Sequence, residues 1–235
     1  KSGALIRKGA TFHRLVDPGQ DPMGALRSAT APVGTLTDKL KVARLRQGLL
    51  AASPESLLDA SAGEPGTGTT LAWLQEEEGI SPAMVDAFFR PFLGGVLLDP
   101  TLQVSARLAR FYMQMFARGG AALPARGMGA IPAQLLRRLP GDAVRTGVRV
   151  RSVAPGEVTL KDGETIRARA VVVATEGPEA ARLLHGQVED PGSRAVHTLD
   201  FAAPTSPVGE GILVLNGEGP GAGPVNHLAV LSDVA

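Results

Sequence analysis

Apolar and polar residues change period several times along this chain of 235 residues. Ala4-Leu-Ile-Arg7 and Thr11-Phe-His-Arg-Leu-Val16 are short extended runs. Lys8-Gly9-Ala10 turns between them and Asp17-Pro18-Gly19 ends them, which predicts a strand pair. From Pro22 the period becomes helical. Asp38 to Ala52 sets Leu40, Ala43, Leu45, Leu49 and Leu50 against Lys39, Lys41, Arg44, Arg46 and Gln47, with Thr37 or Asp38 suited to cap it. Pro54 opens a short helix to Ala60, Gly63 to Thr70 reads as a flexible loop, and Thr69 or Thr70 caps a helix through Trp73 that Gly79 ends. Ser81-Pro82 starts a helix to Phe92, Gly94-Gly95 breaks the pattern, and Val104 to Arg118 is a further helix with Leu108, Phe111, Tyr112, Met115 and Phe116. The aromatic and methionine series has helical spacing and reads as core, or as the lining of an apolar cavity.

After Leu123 the pattern mixes types. Arg126-Gly-Met-Gly-Ala-Ile-Pro132 is a glycine loop entering a helix, followed by a strand from Val144 to Val153 and a hairpin at Asp162-Gly163. Ala170-Val-Val-Val-Ala-Thr175 is an uninterrupted apolar run, as in a parallel strand covered on both faces, and it opens into the helix Glu179 to Leu184. Ligands in such sheets bind at the carboxyl ends of the strands. The glycines let backbone approach a ligand, and a helix N-terminus turns N–H groups toward it, although a plain tight turn also explains them. Strand-like runs return at Ala195 to Ala202, Gly211 to Leu215 and Asn226 to Leu231, predicting an antiparallel sheet. The expected fold is α+β. It comprises a strand pair (1–21), a helical subdomain (22–122) inserted in a mixed or antiparallel β framework, an α/β segment (123–185) and a closing antiparallel sheet (186–235).

Composition narrows the chemistry. With Lys+Arg 24 against Asp+Glu 23, the formal charge of +1 leaves no global footprint for nucleic acid. The absence of Cys removes disulfides, thiolate metal sites and cysteine nucleophiles, and fits a reducing, cytoplasmic setting. No run reaches the ~18 apolar residues of a membrane span. His13, His185, His197 and His227 have no metal-ligand spacing, so no metal is expected, and no Ser/His/Asp order points to a nucleophile. No G-x-G-x-x-G occurs, since Pro132 stands where the third glycine would be.

Taken in order, Pro124 to Leu135 (P-x-x-G-M-x-x-I-P-x-x-L), Val148 and Val150, the Asp162-Gly163 hairpin and Val171 to Thr175 resemble the middle of the flavin-containing amine oxidase superfamily. That superfamily includes monoamine oxidases, phytoene desaturases and protoporphyrinogen oxidases. Phe88-Phe-Arg-Pro-Phe-Leu-Gly-Gly-Val96 is similar to its bacterial members. The resemblance implies an FAD-dependent oxidoreductase that passes hydride from a small apolar or amine substrate to flavin. It places Val148 at the adenine end of FAD through its backbone, and Ala174 and Thr175 along the cofactor. Gly127, Met128, Gly129 and Ala130 would border the flavin and substrate cavity, whose wall the helices of 22–118 would form. It names no catalytic residue. The superfamily's N-terminal dinucleotide-binding unit and C-terminal closing motif have no counterpart here, so the chain reads as an internal fragment that holds FAD weakly or not at all. A binding module that kept the scaffold and lost the cofactor is the alternative of another class.

Overall fold

The computed structural model describes residues 3–19, 21–58, 68–119 and 121–234. The fold is α+β. It divides into two compact units, one of Lys1–Ala125 with Thr198–Ala235 and the other of Arg126–His197.

The first unit is a four-stranded sheet carrying helices. β1 (Ala4–Lys8) and β2 (Thr11–Leu15) pair antiparallel, as their alternation predicts. β6 (Leu213–Asn216) joins β1 in parallel, and β7 (His227–Leu228) adds antiparallel to β6, giving the order β2-β1-β6-β7. The antiparallel closing sheet expected over 186–235 is therefore corrected: its strands complete a mixed sheet with the N-terminal pair. The run Ala195 to Ala202 forms no strand, and Leu199 and Phe201 lie exposed. β1 already holds partners on both edges, so the sheet has no inner place for that run.

Helices supply the rest of this unit's core. α1 (Pro22–Thr30) is capped by Asp21, which accepts from the Gly24 N–H. α2 (Leu36–Ala51) starts from a capping box: Thr35 accepts from the Asp38 N–H and Asp38 accepts from the Thr35 N–H. The cap is thus two or three residues earlier than expected. The buried stripe runs through Asp38, Leu45 and Leu49 with Val42 partly covered, and Leu40 turns outward. That stripe keeps the helical spacing and takes in a carboxylate because Asp38 finds donors inside. α3 (Pro54–Leu58) follows; the remainder of its expected length, and residues 63–67 of the loop expected from Gly63 to Thr70, lie outside the described residues.

α4 (Thr70–Ala72), capped by Thr69, passes into a π-helical turn, Trp73–Glu77. α5 (Pro82–Met84), capped by Ser81, passes likewise into a second one, Val85–Phe89, and then α6 (Arg90–Val96). Gly94 and Gly95 do not break this helix; they let it approach its neighbours. A Cβ on Gly94 would stand 3.2 Å from Pro100 Cα, and one on Gly95 2.5 Å from the His227 ring. Trp73, Leu74, Val85, Phe89 and Leu93 from these segments meet Ile6 and Leu215 of the sheet in one core. α7 (Ala106–Arg118) buries Ala106, Ala109 and Gln114, while Tyr112 and Phe116 remain partly exposed. The aromatic series is therefore not the buried face of this helix. Small residues and one amide take that place, where Gln114 Nε2 donates to the Leu49 and Ala52 carbonyls at the end of α2, at 2.6 and 2.8 Å.

The second unit holds α8 (Ala130–Leu136), a meander of β3 (Val150–Ala154), β4 (Glu157–Leu160) and β5 (Thr165–Arg167), and α9 (Gly177–Leu183). Its sheet has the order β3-β4-β5, all antiparallel. Only Leu160 and Leu183 are buried here among the described residues. The strand expected from Val144 is shorter at its start, because Gly147 adopts a φ of +71° that interrupts extended backbone. The strand expected at Ala170 to Thr175 does not form; the segment is irregular and Val172 is 85% exposed. A strand apolar on both faces needs a hydrogen-bonding neighbour and cover on each side. The meander ends at β5, and no described segment pairs with 170–175.

Candidate flavin-contact segments

All seven residues singled out in the sequence fall in the second unit. Gly127, Met128 and Gly129 form the loop that winds into α8, where Ala130 is the first helical residue. The Ala130 N–H donates to Gly127 O at 3.1 Å and the Ile131 N–H to Met128 O at 3.2 Å. Pro132 has no N–H, and the Ala133 N–H donates to Gly129 O. The first turn thus consumes its own donors, so the expectation that this helix end offers its N–H groups to a ligand is corrected. What the loop offers is room. Gly127 sits at a φ of +76°, and a Cβ on either Gly127 or Gly129 would meet no atom within 4 Å.

Val148 lies two residues before β3 and is exposed, between the turn at Gly147 and the first paired residues of the strand. Ala174 and Thr175 are exposed at the end of the unpaired run, with the Thr175 hydroxyl donating to Glu176 O at 3.3 Å. Between the Ala168 N–H, which donates to Gly156 O, and the Ala180 N–H at the first turn of α9, the described residues show no backbone hydrogen bond from 170–174. Those peptide groups are open to a ligand, and the side chains between them are apolar.

One residue that sequence reasoning passed over joins α9 to β3. Arg182 on α9 donates through Nε and Nη2 to the two carboxylate oxygens of Glu179, at 2.7 and 2.5 Å. It donates through Nη1 to Arg151 O at 3.1 Å and through Nη2 to Val150 O at 3.2 Å. The hydrogen bond from Arg182 holds the Glu179 carboxyl below its ordinary pKa, aided by the charges of Arg182 and Arg149, and the same pair raises that of Arg182. The Glu179/Arg182 spacing of three on a helix was the available signal. Nothing in the sequence shows that the guanidinium also reaches a strand about thirty residues earlier.

A flavin dinucleotide fits this set in part. Open backbone and apolar side chains at Val148 and 170–175 suit an adenine edge and a planar ring system, whose recognition relies on such contacts. The glycine turn that would cradle a pyrophosphate is not in the sequence. Among the described residues, no group of three or more His, Asp or Glu is placed to hold a metal ion, and no helix is long and apolar enough to cross a membrane.

No curated protein matches the chain, and no solved structure does. The family model of flavin-containing amine oxidoreductases matches residues 2–206. The chain belongs to the flavin-containing amine oxidoreductase family.

Proposed function

We propose that the protein is an FAD-dependent oxidoreductase that takes hydride from a small apolar or amine substrate. The observation that carries the reading is the segment 170–174. It is apolar in sequence, without backbone hydrogen-bond partners among the described residues, and lies in a chain of the flavin amine oxidoreductase family. A bound flavin would supply the electron sink for the hydride. Val148 would meet the adenine end through its backbone, and Ala174 and Thr175 would run beside the cofactor. Gly127, Met128, Gly129 and Ala130 would let substrate come close, since the space beside both glycines is open. The chain's part is then to hold cofactor and substrate in contact and to keep water from the reacting bond. By itself the 235-residue chain is expected to hold FAD weakly, because it has no glycine turn for the pyrophosphate.

The test is the visible spectrum of the protein at its natural length, purified with its cofactor, before and after addition of amine and apolar candidate substrates. Flavin absorbance that bleaches with one of them under anaerobic conditions supports the reading. A protein that neither carries flavin nor takes it up when FAD is supplied would overturn it and favour a cofactor-free binding module.

A further inference from the structure

We infer that Arg182 is the positioning residue of the flavin contacts, tying together the two segments to which the proposed reading assigns the cofactor. The inference rests on that reading and adds a residue to it. The guanidinium has acceptors on two elements. On one side are the carbonyls of Val150 and Arg151, two and three residues beyond Val148. On the other is Glu179, four residues beyond Thr175 and on the same helix as Arg182 itself.

The strand is shaped to receive it. Consecutive carbonyls of a regular strand point to opposite edges, so a single planar group cannot bridge them. The register of β3 against β4 shifts between Val150 and Ser152. Such an irregularity turns neighbouring peptides toward one side. β3 is an edge strand, so the carbonyls turned outward need a partner, and Arg182 supplies it. Glu179 in turn fixes the guanidinium plane by a two-point contact, which lysine cannot reproduce. Among the described residues, the unpaired run makes no backbone hydrogen bond to the meander, the last before it being that of Ala168 to Gly156. Arg182 is thus the side chain whose hydrogen bonds link α9, which follows Thr175, to the strand that follows Val148.

The experiment compares Arg182→Gln with Arg145→Gln in the protein at its natural length. Arg145 forms an equally exposed two-point pair with Glu164, at 2.8 Å for both contacts, but its partner lies in the hairpin. Flavin is stripped and FAD affinity is measured by titration, with thermal unfolding of each apoprotein recorded beside it. Arg182→Gln is expected to raise the Kd for FAD on the order of tenfold, the scale of a misplaced contact. Arg145→Gln should stay within about twofold of wild type, since its pair with Glu164 ties to the hairpin and not to α9. A folded Arg182→Gln protein with wild-type affinity would overturn the inference, as would equal losses in the two variants. If Arg182→Gln fails to fold, Arg182→Lys decides: it keeps the charge but not the bridge, so an unchanged Kd overturns the inference and a raised one supports it. Should wild type itself take up no FAD, the proposed function falls; should wild type bind and both variants match it, only the role of Arg182 falls.

Discussion

Asp38 and Ser81 are joined by two hydrogen bonds, the Ser81 N–H to Oδ1 and the Ser81 hydroxyl to Oδ2, both at 2.8 Å. The same carboxylate accepts from the N–H and hydroxyl of Thr35, each at 2.8 Å. One buried side chain thus serves the start of α2 and the start of α5. Replacing it by Ala would strand these donors and is expected to cost about 2–4 kcal/mol, with Asn costing about half that, as read by denaturant unfolding.

The pH dependence of the same residue has a definite sign. Burial raises the Asp38 carboxyl, but the hydrogen bonds from Thr35 and Ser81 outweigh it and bring the pKa down to about 2 from 3.8. The folded value is below the unfolded one, so the stabilisation is fully present above the unfolded value and is lost as pH falls through the folded one. Between about pH 4 and pH 2 the protein should lose ~2 kcal/mol from this group. Asp38→Asn should show a smaller loss over that window, so the stability gap between it and wild type should narrow as acid is added.

Gly95→Ala is expected to loosen the contact between α6 and β7. The added carbon would fall 2.5 Å from His227 Cε1 and 2.7 Å from Nδ1, with the Asn226 amide at 3.2 Å. Asn226 Nδ2 donates to Pro91 O at 2.7 Å and lies 3.1 Å from His227 Nδ1, so the ring cannot withdraw without disturbing that anchor. The expected cost is about 1–3 kcal/mol, and faster amide exchange at Leu215, opposite His227, would report it.

Gln114 is fully buried, and its Oε1 has no hydrogen-bond partner among the described residues. Gln114→Met removes this stranded acceptor but also both donors to the end of α2. Two losses against one gain predict a net destabilisation of about 1–2 kcal/mol, measured by thermal or chemical unfolding.

Gly129→Ala separates a packing role from a ligand role. Gly129 has a helical conformation and open space beside it, so stability should change by less than about 0.5 kcal/mol. If the loop borders the substrate, kcat/KM should fall about tenfold all the same. Unchanged kinetics would remove Gly129 from the cavity.

The sequence revealed local structure where short-range chemistry decides it. The β1–β2 pair, the helix starts at Thr69 or Thr70 and at Ser81-Pro82, and the Asp162-Gly163 hairpin depend on neighbouring residues alone, and each is found where expected. Long-range partners were not legible. That β6 would lie parallel to β1 depends on which edge of β1 stays open, and that the run 170–175 would stay unpaired depends on what else reaches it. The buried stripe of α2 was misread at Leu40 because hydrophobicity alone cannot foresee that Asp38 brings its own donors inside. For the candidate site, the segments could be named, whereas Arg182 emerged only once its carbonyl acceptors were in place.

The parallel pairing of β1 with β6 also sets a timetable for synthesis. Ala4 pairs with Leu213, so one edge of β1 waits for its partner while nearly the whole chain is translated. At about 5–20 residues per second that wait is roughly 10–40 s. During it β2 can cover only the other edge, and the second unit, encoded wholly within the interval, can complete itself first. Arg7 and Lys8 at the end of β1 carry charge beside the waiting edge, the kind of residue that discourages a nascent strand from pairing with a stranger before its own partner leaves the ribosome.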